Sequence, residues 1–279
     1  MPTRRMLLLS VVSGLIGCGM VLEWSQGGVR AETGPPTVPE PPLSATEIRD
    51  LNARLDRDIA EFTRQIGETP KNLPAYSARG DRLFFRGKFA EAVADFEKMV
   101  ELDHTLAESH WRRGIAWFYA GQYDNAAHQF KIYHSFDNID RENGIWRYLS
   151  QVKALGREKA REGLLKYEKD DREPFPDIYR MFAGTITGDE VLRKIAEAEL
   201  TADEKEKRLF YAELYVGLNE AVEGRADSAE AHLAKSTANR WGATAGGGPG
   251  WMWHVGRVHY DLLRAAREKR QKTAESKPQ

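Results

Sequence analysis

Cysteine is almost absent from this chain. Cys18 is the only one in 279 residues, so no intrachain disulfide can form. An excess of one charge is also missing: 41 Lys and Arg stand against 42 Asp and Glu, for a net charge of −1. A nucleic-acid binder would show a basic stripe. Here both signs mix along the chain, as they do on solvated helix faces. Catalytic signatures are lacking too. There is no G-x-x-x-x-G-K-[ST], no H-E-x-x-H and no G-x-S-x-G. SQVK at Ser150–Lys153 matches a bare S-x-x-K, but no S-D-N or K-T-G accompanies it. The seven histidines are scattered at spacings that suit no metal, and GGGPG lacks a following lysine. No cofactor and no metal is expected, and the chain reads as a non-enzyme.

The N-terminus carries the first positive signal. Arg4 and Arg5 precede an apolar stretch from Met6 to Ile16, then Gly17 and Cys18. The charge and length are those of a secretory signal, and the stretch is short for a membrane span. Leu15-Ile16-Gly17-Cys18 resembles the bacterial lipobox. That resemblance implies cleavage after residue 17 and acylation of Cys18, which would anchor the chain in a membrane. Cleavage after Ala31, giving a soluble secreted protein, and an uncleaved anchor through Leu22 stay open. Residues 18–43 form a linker. Five prolines between Glu32 and Leu43 make it a stiff, polyproline-like spacer.

The strongest pattern is a gapless repeat of 34 residues. Pro70–Asp103 superposes on His104–Asp137, which aligns Gly80 with Gly114, Gly87 with Gly121 and Phe89 with Tyr123. Ala92 then falls on Ala126, and Phe96 on Phe130. Each unit reads as two antiparallel helices. Gly80 or Gly114 lets the second helix approach the first. Gly87 or Gly121 ends the first helix in a left-handed conformation. Ala92 or Ala126 sits at the helix crossing, and Phe96 or Phe130 fills the space between units. A period of 34 is that of the tetratricopeptide (TPR) superfamily, which this chain resembles.

The other segments fit around that pair. Residues 138–200 hold a divergent third unit and spacer helices. Ala160 aligns with Ala126, Tyr148 replaces the glycine, and Leu164 and Tyr167 suit the second helix. Residues 201–240 form a late unit with Gly217, Gly224, Ala229 and Leu233 at the spacings of Gly80, Gly87, Ala92 and Phe96. Ser44-Ala-Thr-Glu47 opens an N-terminal helix over residues 44–69 by a capping box. That helix could cap the first repeat or pair with its twin in a homodimer. Residues 241–250 read as a glycine-rich loop, 251–270 as an amphipathic C-terminal helix that shields the solenoid's open end, and 271–279 as a charged tail. The expected fold class is all-α, a TPR helical-hairpin solenoid with capping helices at both ends.

This order of parts resembles the NlpI-type TPR lipoproteins of bacterial envelopes. The resemblance covers about residues 44–264, and the proline spacer and glycine-rich loop depart from it. It implies a dimeric, membrane-anchored adaptor that docks cell-wall hydrolases and the proteases controlling them. The expected partners are therefore other envelope proteins, with no nucleic acid. In TPR proteins fixed positions of each unit face the concave side. By that register Phe85, Trp111, Ile115 and Tyr119 are candidate partner-binding residues, since exposed aromatics make hot spots. Packing of these rings against a neighbouring or C-terminal helix is the competing reading. Ser77 and Asp81 stand where the chaperone-binding TPRs place lysine and asparagine, so that carboxylate clamp is absent.

Overall fold

The computed structural model describes residues 41–169 and 171–276, all within one unit of the chain, residues 39–279. The signal at 1–17, Cys18 and nearly all of the linker lie outside the described residues. Those described are all-α, with no strand among them. The helices are α1 (Ala45–Glu68), α2 (Leu73–Phe85), α3 (Phe89–Leu102), α4 (Trp111–Tyr119) and α5 (Tyr123–Phe136). Then come α6 (Arg141–Leu155), α7 (Arg157–Glu162), α8 (Phe175–Ala183), α9 (Gly188–Glu197) and α10 (Ala202–Val222). The chain ends with α11 (Ala226–Ala238), α12 (Arg240–Thr244) and α13 (Gly247–Glu275). No helix among the described residues is long and apolar enough to cross a membrane.

Three hairpins share one internal geometry: α2 with α3, α4 with α5, and α10 with α11. In each, a glycine on the first helix receives a large side chain from the second. A Cβ on Gly80 would lie 2.6 Å from Phe96, one on Gly114 2.8 Å from Phe130, and one on Gly217 2.8 Å from Leu233. Each first helix ends on a glycine with positive φ: Gly87 at 75°, Gly121 at 77° and Gly224 at 84°. Two backbone bonds close each end in the same way. Lys88 N–H donates to Leu83 O, Gln122 N–H to Trp117 O and Arg225 N–H to Glu220 O, while each glycine N–H donates three residues back. Such a turn needs the left-handed conformation, which glycine adopts without steric penalty. Ala92, Ala126, Ala160 and Ala229 are all fully buried.

Phe96 and Phe130 do more than the sequence suggests. Each fills the cleft inside its own hairpin, against Gly80 or Gly114. Phe96 also reaches forward, with its ring 5.0 Å from that of His110 at the start of the next hairpin. Tyr123 repeats the role of Phe89: Phe89 lies 5.4 Å from Phe84, and Tyr123 lies 5.6 Å from Phe118.

The expected capping box at Ser44 forms, and a second one opens α9. Glu47 N–H donates to Ser44 Oγ at 3.2 Å and Ser44 N–H to Glu47 at 2.7 Å. Thr187 and Glu190 repeat the exchange at the start of α9. α1 packs on α2 and buries Leu55, and Arg86–Asp56 and Arg82–Asp58 link the two helices.

Three expectations are corrected. The third unit does not close as a hairpin, because α7 has only six residues and Leu164 and Tyr167 lie beyond it. Its close-approach glycine is Gly144, one turn before Tyr148. Gly144 N–H donates to Tyr167 Oη at 2.9 Å, and a Cβ there would lie 2.7 Å from Tyr179 Oη. Tyrosines from beyond α7 thus take the place that a second-helix side chain takes elsewhere.

Residues 241–250 are not one loop. α12 covers Arg240–Thr244 and α13 already starts at Gly247. Pro249 falls in its first turn, where a missing N–H leaves no helical bond unmade. The C-terminal helix is also longer than 251–270, and it does not merely close an end. α13 packs on α11, α12 and α2, which joins the late hairpin to the first one.

Candidate functional site

The four residues expected on an open concave face lie against α13 or border a pocket beside it. Phe85 is buried, with the His254 ring stacked on it at 3.7 Å, and Arg257 donates to its carbonyl. Ile115 is buried. Tyr119 is partly buried and its hydroxyl bonds His259 Nδ1 at 2.8 Å. Burial pushes the Tyr119 phenol up and the His259 imidazole down to about 4, so both are neutral near pH 7. Trp111 is partly buried and meets Trp251 edge-on at 5.0 Å.

The positions that would carry a clamp are used internally as well. Asp81 accepts from Arg112 at 2.7 Å and from Trp251 Nε1 at 2.9 Å, and Ser77 Oγ accepts from Arg112 at 3.0 Å. The physical reason is plain. The face that carries these rings is apolar, and α13 brings Trp251, Met252 and His254 to it.

Trp111 and Ile115 do border open space. They line a pocket of about 350 Å³ between the second hairpin, α6 and the first turns of α13. Phe130, Tyr133, Trp146 and Tyr211 add aromatic walls, and Asp140, Glu142 and Arg172 add charge. Asp140 is the N-cap of α6 and accepts from Glu142 N–H at 2.9 Å. Glu142 follows in the first turn, where a carboxylate suits the helix dipole. Arg172 arrives from the loop before α8. Its guanidinium pairs with Glu142, with Asp171 at 3.1 Å and with Asp140 at 3.4 Å, and it lies 4.2 Å from the centre of the Phe175 ring. Tyr215 of α10 donates to the other oxygen of Glu142.

Three carboxylates thus share one guanidinium. Burial, then the neighbouring Asp140, push Glu142 up to about 7, against the pull of Arg172 and Tyr215. Burial raises Asp140 as well. Such a site can hold a cation and can exchange a proton near neutral pH. Both Glu142 oxygens are already held, which favours binding over proton transfer.

No three His, Cys, Asp or Glu side chains among the described residues gather in a metal-binding arrangement. Ser150 is buried, and its hydroxyl donates to Trp146 O at 2.7 Å. No family model matches the chain.

Sequence reading missed Asp140, Glu142, Arg172 and Tyr211. They come from three segments with no shared spacing, and only the packing of α6, the loop before α8 and α10 brings them together. The one local hint was DREN at Asp140–Asn143, a helix start with two acids.

Proposed function

We propose that this chain is a TPR-type, non-enzymatic adaptor of the bacterial cell envelope, anchored to a membrane through an acylated Cys18. The observation that supports the repeat reading is the triple recurrence of one hairpin device. Gly80 with Phe96, Gly114 with Phe130 and Gly217 with Leu233 meet in the same way, each beside a positive-φ glycine. Repeated helical hairpins build extended surfaces that suit protein partners better than chemistry. The resemblance to NlpI-type lipoproteins supports cell-wall hydrolases and their proteases as the partner class.

With α13 over the first hairpin's concave face, the partner surface has to lie elsewhere. The end of α5 offers the best candidate. Phe136 is 63% exposed and Ile139 39% exposed, beside Tyr133 on the pocket rim. Exposed large apolar side chains that gather at one place mark interaction sites.

The test uses the full-length chain in non-ionic detergent as bait in envelope extract. Recovery of one envelope protein, lost on Phe136→Asp with unchanged thermal stability, supports the adaptor reading. Equal recovery by the variant refutes this surface, and absence of any specific protein refutes the adaptor. Membrane fractionation of Cys18→Ser tests the anchor separately. A variant that stays with the membrane sinks the lipoprotein reading, and a wild type starting at Glu32 favours the soluble secreted form.

A further inference from the structure

We propose that the pocket bordered by Trp111 binds a small organic ammonium compound. Two features of the site converge on that class, and they hold whether or not the chain is an adaptor.

The first is the wall. Trp111, Phe130, Tyr133, Trp146 and Tyr211 line the cavity. Aromatic faces carry negative electrostatic potential and attract organic cations, above all when several rings enclose one site. The second is charge. Among the residues that line the cavity, two carboxylates, Asp140 and Glu142, share the guanidinium of Arg172, which also pairs with Asp171. Burial, then the neighbouring Asp140, hold the Glu142 carboxyl up. An anion would be repelled by this wall, and a cation would be attracted. The cavity, about 350 Å³, is at the small end of the range for small-molecule sites.

The same chemistry could come from a free ammonium compound or from a lysine side chain on a peptide. Both belong in one titration, by calorimetry on the full-length protein in non-ionic detergent. Choline and ethanolamine are the free probes, and Nα-acetyl-lysine methylamide is the peptide probe. 3,3-Dimethylbutanol is the neutral counterpart of choline.

The expected result is saturable binding of an ammonium probe, with the neutral alcohol at least about tenfold weaker. The tighter of the free and peptide probes names the source. Affinity should also rise about tenfold from pH 6 to pH 8, as Glu142 passes from mostly protonated to mostly ionised. Among the described residues, Asp140, Arg172, Tyr211 and Tyr215 face Glu142, Asp171 pairs with the same guanidinium, and α13 brings Gly248, Pro249 and Met252 to this cavity. Glu142→Gln should weaken binding and flatten the pH profile. Trp111→Leu, which leaves the charges intact, should weaken binding and keep the profile. Failure of every ammonium probe to bind, equal binding of the neutral alcohol, or a flat wild-type pH profile overturns the assignment.

Discussion

Glu142→Gln is the most informative single change in this protein. The wild-type carboxyl titrates at about 7 in the folded chain against a reference of 4.5. Between these values the folded state keeps a proton that the unfolded state has lost. Raising the pH through this window therefore removes stability. A tenfold difference in proton affinity corresponds to about 1.4 kcal/mol, so the full effect above pH 7 is about 3 kcal/mol. The side chain is 17% exposed, so solvent screens little of it.

Glutamine imitates the protonated acid. It keeps an oxygen for the Tyr215 hydroxyl and stays neutral at every pH. The variant should match the wild type near pH 5 and exceed it by about 2–3 kcal/mol at pH 8. Asp140 is present in both proteins, so its own titration largely cancels in the comparison. Urea unfolding followed by tryptophan fluorescence at the two pH values measures the difference. A stability gap that does not change with pH, or one that grows in favour of the wild type as pH rises, refutes the argument.

Five further outcomes follow from the packing and the charges. Gly114→Ala puts a Cβ against the buried Phe130 ring, and overpacking of about 1–3 kcal/mol should exceed the roughly 1 kcal/mol gained in helix propensity. Gly67→Ala, with nothing within 4 Å, is the control and should be neutral or slightly stabilising in the same melt. Ala126→Leu should cost about 1–3 kcal/mol at its crossing, and a wild-type melting temperature would show the repeat register to be misplaced. Arg172→Met leaves three carboxylates without their shared cation and should destabilise by about 3–5 kcal/mol at pH 8, with a smaller loss at pH 5 on denaturant unfolding. Trp251→Ala removes the ring stacked on Phe84 at 4.5 Å and a bond to Asp81, so about 3–5 kcal/mol should be lost and limited proteolysis should release α13 first.

The repeat was legible because its constraints are local. A glycine under a large side chain, a left-handed helix end and a small residue at a crossing each leave a fixed mark at a fixed spacing. Gly80, Gly87, Ala92 and Phe96 could therefore be read from alignment with Gly114, Gly121, Ala126 and Phe130 alone. Gly217, Gly224, Ala229 and Leu233 repeated the device much later in the chain. The third unit defeated the same reading. Tyr148 held the aligned position, while the close contact moved to Gly144 and its partners became Tyr167 and Tyr179. A register carries over only while both helices of a hairpin are present, and α7 is too short to supply the second.

The face expected to be concave was legible as chemistry and misread as surface. Phe85, Ile115 and Tyr119 are the apolar residues that the register points inward, and an apolar face needs a cover. Sequence cannot say whether that cover is a partner or a later part of the same chain. Here the answer lay in WMWH at 251–254, whose rings could be read as the buried stripe of a cap. Trp251 and His254 cover the first hairpin, with Trp251 bonded to Asp81 and Arg257 to the Phe85 carbonyl, while Trp253 donates to Thr237 O of the late hairpin. The first turns of α13 stop short of α6, and the space left between them is the pocket of Trp111 and Glu142. A helix that packs over the hairpin aromatics thus leaves a cavity at its own end, lined by the aromatics beyond its reach and by the charges that the next helices supply. In this chain those charges are Asp140, Glu142 and Arg172. They make the site acidic rather than merely apolar, and so set which ligands can enter it.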